Sequence, residues 1–392
     1  MSSAHRWVVV ADSVFWPARV GGHREHTGFV DAAVAAGRVA VLVVPVRPTE
    51  EVPATYGAGG HDVPVIALPR DVRRRRMLSL REPFVVTSRP TPAWLLGRVR
   101  ELAPDADAVV AFSYKVHRLG EHLAVGLGVP AVLRQHNLEA HYHRELARGT
   151  RGPRGWLLRW EARRIDRDER RLEQAPWLTG IADISATDAA ARRLRASPPV
   201  RHVGPFAIAG VADVDRSPEG CEVLFLGALD VATNHDGLRW FTDHVWPRVL
   251  AAVPDARLAV VGSNPPLGLL RELLAVPSTT VHPDVPDTRP FLRTAAVAVN
   301  PTVAGSGVNI KLVDYLAAAI PTVTTSPAAA ALALAAAEEL GIADTAEAFA
   351  DAVAARLRDP AAAQAAAVQR AEEIRTAFAP ERGLALLAEL LA

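Results

Sequence analysis

Ala295-Ala-Val-Ala-Val299-Asn300-Pro301-Thr-Val-Ala304-Gly305-Ser306-Gly307-Val308-Asn309-Ile310-Lys311-Leu312-Val313-Asp314-Tyr315 passes from an apolar run through a loop of small residues into a helical start. Ala295–Val299 reads as a buried strand, and Ile310–Leu316 as the opening of a helix. A glycine-rich strand-to-helix turn lets backbone N–H groups and the positive end of a helix approach an anion. Lys311 adds a compact, mobile charge, and it is one of only two lysines against 42 arginines. Asp314 follows three residues later, on the same helical face. Cation and carboxylate beside such a loop suit a ligand with phosphates and hydroxyls, such as a sugar nucleotide. The same residues also fit an ordinary helix start with a surface ion pair.

Outward from this stretch the pattern repeats. Val223–Leu226, Arg257–Val261, Thr279–His282 and Thr322–Thr325 read as further strands, with helices at Leu238–Ala252 and Leu267–Leu274 between them. The first half opens with a strand at Trp7–Ala11, a loop holding Gly21 and Gly22, and a helix from Thr27 to Ala36 that stops at Gly37. Strands are expected at Val39–Val44, Val63–Leu68, Ala108–Phe112 and Ala131–Leu133. Arg151–Glu173 is dense in charge and reads as a long exposed helix. Around Ser197-Pro198-Pro199 the pattern breaks, and Arg201–Gly220 reads as an irregular linker. Pro380–Ala392 forms an apolar helix. The expected class is α/β, with two doubly wound domains, 1–200 and 201–379, and a terminal helix, 380–392.

A chain of 392 residues is too long for one compact core. Alanine and arginine abundance points to a high-GC bacterial genome. No apolar run is long enough to span a bilayer, and no secretory leader is evident, so the expected location is cytoplasmic. Cys221 is the only cysteine, which excludes an internal disulfide and a cysteine-rich metal site. His141, His143 and Glu139 do not share a helical face, so no metal is expected. Residues 1–200 carry 30 basic against 21 acidic residues, and residues 201–392 carry 14 against 22. The basic residues are not interleaved with aromatics, which argues against nucleic acid. Arg73-Arg-Arg-Arg76 is either solvated surface or a contact for an anionic lipid or phosphorylated acceptor, leaving peripheral membrane contact open. His23 and His26 lie three apart beside Gly22 and read either as an acceptor contact or as a solvated helix face.

Phe225-Leu-Gly227-Ala228-Leu229-Asp230 with Asn234, then Val245-Trp-Pro247, Pro254 to Gly262, and Gly305-Ser306-Gly307 with Lys311 and Asp314 together resemble retaining glycosyltransferases of the GT-B fold. The likeness is to the large bacterial family-four group, the glycosyl transferases group 1, which uses nucleotide-activated sugars. In the first half, Gly21-Gly22 matches the glycine pair after that family's first strand. Arg134-Gln-His136-Asn137-Leu-Glu139 resembles the His-Asn-x-Glu segment of one branch.

The resemblance implies two Rossmann-like domains facing across a cleft, the first for the acceptor and the second for the donor, with the last helix returning to the first domain. It implies that Lys311 contacts the donor diphosphate and that Asp314 holds the ribose hydroxyls. Gly305, Ser306, Gly307 and Asn309 would lie under the diphosphate and sugar, with Gly227 as the opposite phosphate wall. Val285, Pro286 and Asp287 would cradle the base, and Gly21 and Gly22 would approach the diphosphate. His136 would face the donor sugar or the acceptor hydroxyl; by its position alone it fits a structural histidine equally. His23, Asn137 and Glu139 are the acceptor-side candidates. The acceptor is a glycan, a lipid-linked sugar or a small natural product, and no cofactor is implied beyond the nucleoside diphosphate sugar itself. Ala304 replaces a glutamate common in the family, and Ala228-Leu229-Asp230 replaces a neighbourhood that often carries arginine. A nucleotide-sugar epimerase and a non-catalytic sugar-nucleotide-binding protein therefore stand as alternatives.

Overall fold

A computed structural model describes residues 5–16, 21–71, 82–148, 150, 152–208, 210–302, 307–333 and 340–392. The chain divides into two compact units, one formed by Met1–Trp16, His26–Gly204 and Pro380–Ala392, the other by Pro17–Glu25 and Pro205–Ala379. The Arg73–Arg76 run, Ala304, Gly305 and Ser306 lie outside the described residues.

In the first unit, strands β1 (Trp7–Val10), β2 (Val39–Val46), β3 (Thr55–Ala58), β4 (His61–Pro69), β5 (Ala108–Phe112), β6 (Ala131–Gln135), β7 (Gly180–Asp183) and β8 (Val200–His202) form one sheet, in the order β3-β4-β2-β1-β5-β6-β7-β8. Every pairing is parallel except the β3–β4 hairpin. Every residue of β1, β5, β6 and β7 is buried, because helices cover both faces of a parallel sheet. That is why β1 and β5 read as unbroken apolar runs.

The second unit holds β9 (Glu222–Leu226), β10 (Arg257–Gly262), β11 (Thr279–Pro283), β12 (Val297–Asn300) and β13 (Thr322–Thr324), all parallel, in the order β11-β10-β9-β12-β13. In each sheet the strand order reverses once, between β1 and β5 and between β9 and β12. Loops at the C-terminal ends of strands diverge at such a reversal and leave a crevice for ligands.

Seven helices matter below: α1 (Gly21–Ala35), α2 (Glu139–Arg148), α3 (Gly152–Leu172), α4 (Ala186–Arg193), α5 (Ala232–Trp240), α6 (Ile310–Ala317) and α7 (Pro380–Leu391). Four expectations need correction. Gly21 and Gly22 form the first turn of α1 instead of a preceding loop. The single helix expected over Leu238–Ala252 is broken: a π-turn at Phe241–Val245 separates α5 from a helix at Trp246–Ala252. Pro247 lacks the N–H that an unbroken α-ladder would require there. The Arg201–Gly220 linker begins later than expected, because β8 carries the chain along the first sheet to His202.

Helix α3 is not simply exposed. Its Glu161, Arg164, Asp168 and Glu169 are buried. Arg192 of α4, with a fully buried side chain, bridges Glu169, Glu173 and Asp183. Burial of these charges is tolerable because each meets a partner of opposite sign. Helix α7 lies against β6 and β7. Leu390 sits so close to Gly180 that a Cβ there would come within 2.7 Å of its side chain.

Candidate active site

In the second unit the site is built at the ends of β9 and β12. Gly227 follows β9, and its N–H donates to Val261 O. A side chain on Gly227 would place Cβ 3.1 Å from Asn234 Nδ2, so the tight turn favours glycine. Asn234, on α5, uses its amide twice: Nδ2 donates to Ala228 O at 2.9 Å, and Oδ1 accepts from Lys311 Nζ at 2.7 Å. The Lys311 ammonium also lies 4.3 Å from the centre of the Phe225 ring. Among the described residues it has no carboxylate partner. Burial alone brings its pKa down to about 7.

Asp314 stands one turn further along α6 and is 3% exposed. Sequence spacing suggests that it sits beside Lys311 as an ion pair, but the two side chains take different partners. Asp314 Oδ2 accepts from Arg24 Nη1, a residue of α1 whose other terminal nitrogen donates to Ala207 O. Asp314 Oδ1 has no hydrogen-bond partner among the described residues. Burial raises the Asp314 carboxyl to about 6, against the opposing pull of Arg24. Helix α6 is itself fixed to β9, because the Leu226 N–H donates to Tyr315 Oη at 2.6 Å. Pro17–Glu25 thus groups with the second unit through Arg24 and through Glu25, whose carboxylate accepts from Phe206 N at 2.6 Å.

The loop between β12 and α6 is pinned at both flanks. Thr302 Oγ1 donates to Asn300 Oδ1 at 2.9 Å and lies 3.3 Å from Asn309 Oδ1, and Asn300 Nδ2 donates to Thr324 Oγ1. Gly307 has φ of 79°, a left-handed value that glycine adopts without strain. Val285, Pro286 and Asp287 follow β11. The Asp287 carboxylate is engaged by Arg289, which leaves main chain and the partly buried Val285 as the surface this segment offers.

The first unit carries a second polar cluster, at the ends of β1, β5 and β6. Asp12, 5% exposed, accepts from Ser13 and Ser113 hydroxyls and from Lys115 Nζ at 3.1 Å, with His26 Nε2 at 3.5 Å. Arg89 Nε donates to the Asp12 carbonyl at 2.7 Å. Burial disfavours ionisation of Asp12, but Lys115 above all, then His26 and Arg89, hold its carboxyl well below the usual range. Glu139, 2% exposed, lies 3.8 Å from Lys115. Ser113 takes φ of 85° and ψ of 154°, a region that is nearly glycine-only. A side chain there costs ~1–3 kcal/mol, and such strain collects at functional sites.

His136 follows β6, 4.9 Å from the His26 ring and 5.4 Å from Phe112. Burial, then His26 and Arg134, drive its pKa well below the ordinary value, so the imidazole is neutral. His26, read alternatively as part of a solvated face, is 4% exposed and packs into this cluster. Of the acceptor-side candidates, Glu139 joins the cluster, Asn137 lies in the turn before α2, and His23 is on the first turn of α1. Arg24, Asp12 and Lys115 carry no motif of their own and gain meaning only from their partners. Scarcity was the one sequence signal for Lys115, the second of the two lysines.

Among the described residues no group of three or more His, Cys, Asp or Glu side chains could hold a metal ion, and no helix is long and apolar enough to cross a membrane.

Two units of this topology, each with its polar cluster at a strand-order reversal, define the GT-B fold of two-domain glycosyltransferases. Solved structures share it over nearly the whole chain. Sucrose-phosphate synthase from Thermosynechococcus elongatus is 16% identical with a TM-score of 0.70, covering 98% of both chains. Anabaena HepE, in complex with UDP and glucose, is 12% identical with a TM-score of 0.66 and 99% of both chains covered. Residues 220–359, within the second unit, match the family Glycosyl transferases group 1. An uncharacterized 44.6 kDa protein in the cps region of Klebsiella pneumoniae is 29% identical over 114 residues, 27% of this chain. That match spans 29% of the curated relative's length, under a third.

Proposed function

We propose that the protein moves a sugar from a nucleoside diphosphate sugar to an acceptor, with retention of anomeric configuration, in the cytoplasm. The observation that carries this is Lys311: a buried ammonium without a carboxylate partner among the described residues, held by Asn234 behind the Gly227 turn and one helical turn before Asp314. A diphosphate supplies the missing negative charge. Asp314 Oδ1, buried and without a hydrogen-bond partner among the described residues, suits a ribose hydroxyl. As the donor bond breaks, negative charge grows on the leaving diphosphate, and Lys311 offsets it. The buried His136, its pKa driven well below the ordinary value, suits a positioning role toward the sugar. The other candidates, Gly21, Gly22, Gly305, Ser306, Gly307, Asn309 and the Val285–Asp287 segment, are assigned to the donor by the family resemblance.

Lys311→Ala is expected to lower turnover at least a hundredfold, on the order of 3 kcal/mol of barrier, with the fold intact. Near-normal steady-state rates in that variant would remove the assignment. Labelled nucleotide sugars separate the alternatives, since transfer needs an acceptor, epimerisation does not, and a pure binding protein releases no diphosphate. UDP-sugars are the first donors to test, because HepE has been solved with UDP and glucose.

A further inference from the structure

We propose that Lys115 is the centre of a binding site for the neutral hydroxyls of a sugar unit, built by the first unit at the reversal between β1 and β5. This rests on the sugar-transfer reading and deepens it by naming what the first unit recognises.

Two ionic clusters in this unit invite comparison. Around Arg192 the side-chain exposures are 0% for the arginine and 1–3% for its three carboxylates, so that cluster is sealed and structural. Lys115 differs. Its carboxylate partners Asp12 and Glu139 are 7% and 2% exposed at the side chain, while its own side chain is 30% exposed. Buried acids hold the ammonium, while 30% of the lysine side chain stays exposed. Asp12 is itself saturated, with Ser13, His26, Ser113 and Lys115 around its two oxygens. It therefore positions Lys115 and has no oxygen left to offer a ligand. Ser113 adds to this hold, its strained backbone directing its hydroxyl to Asp12 while accepting from the Lys115 N–H at 3.3 Å. In a chain with 42 arginines, a lysine here supplies a compact donor that a planar guanidinium would not duplicate.

Charge decides the ligand class. The Lys115 charge is already met by Asp12 at 3.1 Å and Glu139 at 3.8 Å. An arriving phosphate or carboxylate would be repelled by both buried acids, and like charges at such a site are costly. A hydroxyl meets no such repulsion. It accepts from Lys115 Nζ without adding charge beside the two acids. The sugar unit is either the acceptor's or the donor's, and the same chemistry serves both.

The test uses the full chain, saturated with UDP, and a panel of methyl glycosides (gluco, galacto, manno and rhamno) alongside the hexose 6-phosphates, read by saturation-transfer NMR titration. A parallel calorimetric arm compares UDP-sugars with UDP alone. Lys115→Met and the charge-retaining Lys115→Arg are compared with wild type, with thermal melting as the check on folding. At least one methyl glycoside is expected to bind tenfold or more tightly than its phosphate. Both variants are expected to weaken that binding tenfold without changing UDP affinity, if the sugar is the acceptor's. If it is the donor's, they instead erase the affinity advantage of a UDP-sugar over UDP. Either result supports the site. Absence of both effects in the folded Lys115→Arg protein, or preference for the sugar phosphates, overturns it. Failure of wild type to bind any nucleoside diphosphate would sink the transfer reading separately, because the glycoside titration still reports on Lys115.

Discussion

Lys311 and Asp314 titrate in opposite senses, and this gives the site a recognisable pH signature. With its pKa near 7, Lys311 is mostly neutral at pH 8 in the free protein. A bound diphosphate favours the ammonium, so nucleotide binding at pH 8 should take up a proton, and affinity should fall as pH rises through 7. Calorimetry of UDP binding in buffers of different ionisation enthalpy measures the uptake directly. Lys311→Met should abolish it. In the proposed function Asp314 works the other way, as a carboxylate for the ribose, and its pKa near 6 is kept from rising further by Arg24. Removing Arg24 pushes that carboxyl toward protonation near neutrality. Arg24→Ala should therefore bind UDP more weakly at pH 6 than at pH 8, the reverse of wild type, whereas Arg24→Lys should restore much of the normal profile. A pH-independent loss in Arg24→Ala would mean that the arginine acts only through packing. Lys311 and Asp314 were legible in the sequence because they stand at fixed offsets from a glycine turn. Their partners were not, since Arg24 and Asn234 reach them across about 290 and 77 positions of chain.

At the scale of elements, the parallel strands were easy to read where both faces are buried, as in Val8–Val10, Val109–Phe112 and Val297–Val299. Strands β7 and β8 were not: Gly180–Asp183 and Val200–His202 are short and carry polar residues whose partners lie elsewhere. Asp183, at the end of β7, is held by Arg192 of α4. The charged helix α3 misled for the same reason, because charge predicts exposure only until a partner is found. Glu169 shows what these buried charges do for the site. Its carboxylate accepts from the N–H groups of Glu139 and Ala140, both at 3.3 Å, and so caps the helix that presents Glu139 to Lys115. Arg192→Ala leaves Asp183, Glu169 and Glu173 buried without their shared cation. It should cost ~3–5 kcal/mol, read by urea denaturation, with loss of activity following from loss of fold.

At the scale of the whole molecule, the two units share one chain in an interleaved way. Pro17–Glu25 belongs with the second unit and Pro380–Ala392 with the first. The apolar spacing of α7 is plain in the sequence, and Leu384, Leu387, Leu390 and Leu391 are buried. Leu387 is 0% exposed. Leu387→Ala should therefore destabilise the first unit by ~2–5 kcal/mol while leaving UDP affinity within twofold of wild type. Denaturation followed by the first unit's tryptophans, with calorimetry alongside, checks both halves of that statement. A change confined to the second unit would contradict it.

The placement of α7 has a consequence for how the protein is made. A ribosome delivers the chain from its amino end, and β6 and β7 emerge roughly two hundred residues before the helix that covers them. Throughout that interval the apolar surface that will receive Leu387 and Leu390 has no cover from its own polypeptide. The unit whose strands are translated first is completed only once α7 has left the exit tunnel.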